Sequence, residues 1–201
     1  MTPHSRVPVS PTSARPAYER GGFSMIELLT VIVIMGLLAA VAIPRSGISS
    51  YQANAGAQVV SAALAYAQRQ AISRQADTRV AFDLANNRLR IHEDRDNDNV
   101  IDAGERVTFA NLPEGLTFGR GSAAARPIGS AVVTFTRAQG VLPVLVFRRD
   151  GTASEDGGVY LSTLAGLSID RTTDVRAVEI SRATGRATWF SYATGVWQER
   201  Q

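Results

Sequence analysis

Hydrophobic and polar positions change rhythm three times along the 201-residue chain. Residues 1–22 show no periodicity and are rich in Pro and Ser. From Phe23 to Ile43 the chain is apolar apart from one charge, Glu27, and two hydroxyl residues, Ser24 and Thr30. At about 1.5 Å per residue this run spans roughly 31 Å as a helix, the thickness of one hydrocarbon core. From about Ile48 to Ala76 the composition turns to Ala and Gln. Val60, Leu64, Ala67 and Ala71 recur there at spacings of four, three and four, the stripe of an amphipathic helix. Pro44 and Gly47 mark a weak point between the two helical segments.

Beyond residue 77 the rhythm is that of strands. "RVAFDL" (Arg79–Leu84) and "RLRIHE" (Arg88–Glu93) flank Ala85, Asn86 and Asn87, a short hairpin connection. "AVVTFTR" (131–137), "PVLVFRR" (143–149), "GVYLS" (158–162), "VRAVEIS" (175–181) and "RATWFSY" (186–192) continue the set, with Asp150-Gly151 and "RATG" as turns. The pattern predicts an α+β fold: N-terminal helical segments followed by a mostly antiparallel set of strands. No repeat and no second domain interrupts the head, so the organisation reads 1–22, 23–43, 44–76 and 77–201.

Composition narrows the class. All 21 basic residues are arginine, and the net charge is only +3. The first 22 residues carry Arg6, Arg15 and Arg20 against Glu19, or +2, which leaves 18 bases against 17 acids, or +1, for the remainder. A bulk nucleic-acid binder would be more lopsided. With no cysteine, neither a lipoprotein anchor nor a disulfide is available. The arginines before the apolar run favour a cytoplasmic N-terminus.

Glu27 decides how the apolar run is read. A carboxylate at the centre of a lipid-embedded helix costs roughly 2.5–3.5 kcal/mol on insertion scales, and a plain anchor has no use for it. A signal anchor and a signal peptide cleaved at "AVA" (Ala40–Ala42) are the plainer alternatives. The string "GGFSMIELL", however, resembles the processing motif of type IV prepilins and type II secretion pseudopilins. That resemblance implies cleavage after Gly22 by a membrane peptidase and N-methylation of Phe23, with 1–22 as the leader. It makes Glu27 the characteristic fifth mature residue, whose anion pairs with the new amine of a neighbouring subunit. A buried charge that is paired between subunits rewards assembly.

The C-terminal half, through "VFRRDGTA", "GGVYLS" and "VRAVEISRATGRATW", resembles the GspH/FimT family of minor pseudopilins and minor pilins. The resemblance implies the type IV pilin-like fold and a single-pass protein of the bacterial inner membrane with a periplasmic head. Its implied partners are the prepilin peptidase and the other minor and major pseudopilins or pilins. The function implied is assembly into the short pseudopilus of a type II secretion system. The alternative is a FimT-like minor pilin of a type IV pilus, serving pilus assembly or DNA uptake.

Two further stretches carry candidate chemistry. "DRDNDNVIDAGE" places Asp94, Asp96, Asp98, Asp102 and Glu105 at positions 1, 3, 5, 9 and 12 of a twelve-residue loop, with the Val100 carbonyl at position 7. That is calcium-ligand spacing, and from Glu93 to Glu105 six acids face one base. Asn99 stands at position 6, where a positive φ is needed, and Ile101 at position 8 should face inward. A strand precedes the loop where an EF-hand has a helix. Near the C-terminus, arginines including Arg182 and Arg186 lie among Trp189, Phe190, Tyr192 and Trp197, a combination able to hold DNA. The DNA-uptake motif Gly-Arg-x-Arg is incomplete, because Thr188 replaces its second arginine. His4 and His92 form no catalytic set, and an enzyme is not expected; His92 reads as a surface or hairpin residue.

Overall fold

A computed structural model describes residues 22–42 and 46–200, which fall into two units divided at residue 44. Residues 1–21, with His4, and residues 43–45, with Pro44, lie outside the described residues.

The first unit is α1 (Met25–Ala42). Ser24 opens it: its hydroxyl accepts from the Ile26 amide at 3.4 Å and its carbonyl from the amides of Glu27 and Leu28. A capping hydroxyl of this kind satisfies one of the orphan donors at a helix start. The large apolar side chains from Met25 to Leu38 are all exposed, from 49% at Val31 to 88% at Met25. The 18 described helical residues rise roughly 27 Å, short of a hydrocarbon core of about 30 Å. No helix among the described residues is long and apolar enough to cross a membrane.

The second unit is built on α2 (Ser46–Arg74). Its stripe is realised: Ala53, Ala57, Val60, Leu64, Ala67 and Ala71 are buried. Small residues bring the helix close to the strands, and a Cβ on Gly56 would lie 2.5 Å from Leu116 Cδ1. The helix ends at Gln75, which adopts φ 55° and donates from Nε2 to the Ile72 carbonyl at 2.8 Å. A left-handed residue and a side-chain donor are both common ways to stop a helix.

Ten strands follow: β1 (Asp77–Asp83), β2 (Arg88–Asp94), β3 (Val107–Asn111), β4 (Leu116–Phe118), β5 (Ala138–Gln139), β6 (Leu142–Phe147), β7 (Gly157–Thr163), β8 (Arg176–Ile180), β9 (Ala187–Ala193) and β10 (Val196–Arg200). A short helix α3 (Leu164–Ser168) and one 3₁₀ turn (Thr172–Asp174) separate β7 from β8. The strands form two antiparallel five-stranded sheets rather than one, ordered β3-β2-β1-β6-β5 and β10-β9-β8-β7-β4. One hydrophobic cluster joins α2 to both, through Phe82, Leu89 and Phe147 from the first and Leu161, Val178 and Trp189 from the second. Arg176 fastens α2 to the second sheet by donating to Asn54 Oδ1 at 2.7 Å and the Ser50 carbonyl at 3.2 Å. Burial pulls its guanidinium down to about 10, still charged at neutral pH.

The strand expected at 131–137 does not form. Only Val133 bridges to β7; the Thr134 amide and hydroxyl both donate to the Gly158 carbonyl, the Gly158 amide donates to the Thr134 hydroxyl, and the Tyr160 amide donates to the Val132 carbonyl. Opposite this segment β7 carries Gly158, where a Cβ would lie 2.3 Å from the Val178 carbonyl oxygen of β8, so only glycine fits that approach.

Candidate functional site

At the N-terminal site, Glu27 lies in the first turn of α1, three residues after the capping Ser24. The helix dipole favours an anion there, and Ser-x-x-Glu is the spacing of a capping box. That local reason for a carboxylate in an apolar run was legible in the sequence and adds to the assembly reading. Its side chain has no hydrogen bond or ion pair among the described residues. Glu27 lines a shallow apolar recess of about 200 Å³ with Phe23, Leu28 and Val31. Gly22 and Phe23 precede the helix, and Phe23 is 82% exposed.

The acidic loop connects β2 to β3. Its base is closed by the Glu93 amide donating to the Arg106 carbonyl at 2.9 Å. Asn97 and Asn99 both turn left-handed, at φ 65° and 68°, so Asn99 does what position 6 requires. Carboxylate oxygens of Asp94, Asp96 and Asp98 lie within 4.8 Å of one another. Asp96 Oδ1 accepts from the Asp98 amide at 3.3 Å, and Asp98 Oδ1 from the Val100 amide at 2.7 Å. The Asp98 amide pulls the Asp96 carboxyl down, but burial and the charges of Asp98, Glu105 and Asp102 outweigh it and raise it above its usual range.

Glu105 is placed differently. Its Oε2 meets His92 Nε2 at 2.5 Å and the Asp102 amide at 3.1 Å, and its Oε1 accepts from the Arg95 amide at 2.8 Å. Burial pushes its carboxyl up, yet the two amides and the imidazole prevail and hold it down at about 2. Ile101 faces solvent rather than the interior.

His92, expected at the surface, is fully buried. Gln139 explains its state: the amide oxygen accepts from Arg90 Nη2 at 3.0 Å, so its Nε2 must donate, to His92 Nδ1 at 3.0 Å and to the Asn99 carbonyl at 3.1 Å. Nδ1 therefore accepts, and the ring proton sits on Nε2, directed at Glu105. Sequence reasoning missed this cluster because Gln139 is 47 residues from His92. The one available signal was "HED" at the end of a strand, three polar residues in a row that burial obliges to find partners.

The arginine and aromatic set is dispersed. Trp189 and Arg176 are buried, Arg126 stacks over Phe190 at 3.5 Å while pairing with Glu179, and Trp197 Nε1 donates to the Ala124 carbonyl at 2.9 Å. Arg182 and Arg186 are exposed, but Arg186 shares its recess with Asp156, Glu179 and Glu199. No row of free rings beside cationic side chains results among the described residues, and such a row is what stacking on single strands requires.

Comparison with known proteins gives two findings. The family described as Type II transport protein GspH matches residues 56–184. Among solved structures, the minor pseudopilin EpsH from the type 2 secretion system of Vibrio cholerae is similar at 17% identity and a TM-score of 0.44, covering 72% of this chain and 99% of that one. No curated protein matches.

Proposed function

Because this chain belongs to the GspH family of type II transport proteins, we propose that it is a minor pseudopilin, a structural subunit of a type II secretion system. The family match across most of the head is the observation that carries this reading. The N-terminal motif extends it: a prepilin peptidase cuts after Gly22, Phe23 becomes the N-methylated first residue, and the helix beginning at Met25 is held in the inner membrane before assembly. The periplasmic head then enters a short pseudopilus with other minor and major pseudopilins.

The chemistry of α1 supports that sequence of events. An exposed apolar surface on every side of a helix is unfavourable in water and calls for lipid or neighbouring helices. Cleavage at Gly22 creates a cationic amine at Phe23, and Glu27 offers the matching anion. In lipid neither charge is tolerable alone, so pairing between subunits selects packed over isolated helices. The dispersed arginine and aromatic set does not favour the DNA-uptake alternative.

Intact-mass measurement of the membrane-expressed chain with its prepilin peptidase tests the reading. The expected product begins at N-methylated Phe23 and is absent in Gly22→Ala. Cleavage after Ala42, or an uncleaved wild type in the presence of active peptidase, would overturn it.

A further inference from the structure

The loop between β2 and β3 leaves an acceptor stranded. Asp94 is fully buried; its Oδ2 pairs with Arg79 and accepts from the Asn99 amide, whereas its Oδ1 has no partner. Buried carboxylate oxygens are nearly always satisfied, so one that is not calls for a missing donor or ion. The other acids divide in two groups. Glu93 pairs with Arg95 at 2.9 Å and Glu105 with His92, while Asp96 and Asp98 have no cationic partner among the described residues. The Asp94 carboxylate that carries the stranded oxygen and the two uncompensated carboxylates come within 4.8 Å of one another.

We propose that this loop binds one calcium ion, with Asp94, Asp96 and Asp98 as carboxylate ligands and the Val100 carbonyl and water completing an all-oxygen set. Calcium takes six to eight oxygens in adaptable geometry, which suits three carboxylates from one irregular loop; magnesium demands a stricter octahedron. The donor set contains no thiolate or imidazole, since His92 is turned toward Glu105 and Gln139, so softer metals are disfavoured. Glu105, at position 12, is a positioning residue: both its oxygens are committed to closing the loop. Asp102 acts through water, as position 9 often does.

The ion does more than neutralise charge. Asn99 lies inside the ligand run and holds β5 by two hydrogen bonds: its Nδ2 donates to the Ala138 carbonyl at 3.3 Å, and its carbonyl accepts from Gln139 at 3.1 Å. Fixing residues 94–100 therefore fixes the β5–β6 hairpin at the edge of the first sheet. In a chain without cysteine, calcium is the staple that ties this edge down. The inference stands on the loop alone and survives failure of the secretion reading.

The test uses the full chain in detergent, stripped with EGTA and titrated with calcium chloride by calorimetry, with thermal unfolding and amide exchange measured in parallel. The expected result is about one site per chain with a dissociation constant of about 10⁻⁴–10⁻³ M, a raised Tm, and slowed exchange at residues 138–142. The double variant Asp96→Asn/Asp98→Asn alters exposed side chains only and removes mutual repulsion, so its Tm in EGTA should be no lower than that of the wild type while all three calcium effects disappear. No saturable heat and no Tm rise at roughly 10 mM calcium would overturn the proposal. So would an equal rise in sodium chloride of matched ionic strength, or calcium effects that persist in the double variant.

Discussion

Glu105 concentrates in one side chain what the head does with its buried polar groups. Held at about 2 against an ordinary 4.5, its carboxylate favours the folded state. For an acid whose folded value is depressed, that contribution is complete above the unfolded value and lost as pH falls through the folded one. Its share of stability should thus be intact above pH 5 and vanish between about 4.5 and 2. Glu105→Gln supplies only a neutral acceptor to His92 Nε2 and the Asp102 amide, and turns an amide donor toward the Arg95 amide. The substitution should cost about 1–3 kcal/mol at neutral pH. Urea unfolding of both proteins in chelator, from pH 7 down to 2, should show the gap closing as acid neutralises the wild-type carboxylate. A gap independent of pH would mean that the charge of Glu105 contributes nothing.

At the scale of elements, periodicity revealed what local forces decide and hid what distant partners decide. The stripe of α2 was visible because a helix buries every third or fourth residue, and Leu64 is its largest fully buried member. Leu64→Ala should lower stability by about 2–5 kcal/mol through lost burial and a residual cavity. Gln58→Ala, on the exposed face, should change it by less than about 0.5 kcal/mol. Urea midpoints at an unchanged m value would measure both, and similar losses at the two positions would refute the packing assigned to α2. β1, β2 and β9 were readable from alternation along the strand, and β6, β7 and β8 from nearly continuous apolar runs between turn signals. β3, β4, β5 and β10 were not, since two- to five-residue strands with mixed exposure carry little periodic signal. The segment 131–137 failed in the opposite sense. Its alternation is real, yet its pairing with β7 is reduced to isolated bonds beside Gly158. Of the acidic loop, the spacing and the left-handed Asn99 were legible, whereas the capture of Glu105 by His92 depended on a side chain in β5.

For the whole molecule, the division at residue 44 carries a consequence for how stability and assembly are shared. Among residues whose burial is described, every buried hydrophobic side chain lies at Ala53 or beyond. The polar ties of α2 also close within the second unit: Ser49 donates to Asp174 Oδ1 at 3.0 Å, and Arg176 reaches Asn54 and Ser50. Residues 45–201 number 157, ample for an independent core. A chain beginning at residue 45 should therefore unfold cooperatively in urea, within about 1 kcal/mol of the full-length protein in detergent. It should also stay monomeric in the presence of its partner subunits, because the exposed apolar helix and Glu27 are gone. If the shortened chain loses cooperativity, the apolar helix contributes to the head's core and the two roles are not separable. If it keeps its stability, the energy of folding resides in the head and the first helix is left free to spend its apolar surface on lipid or on neighbouring subunits, as the proposed exchange of a membrane for a filament requires.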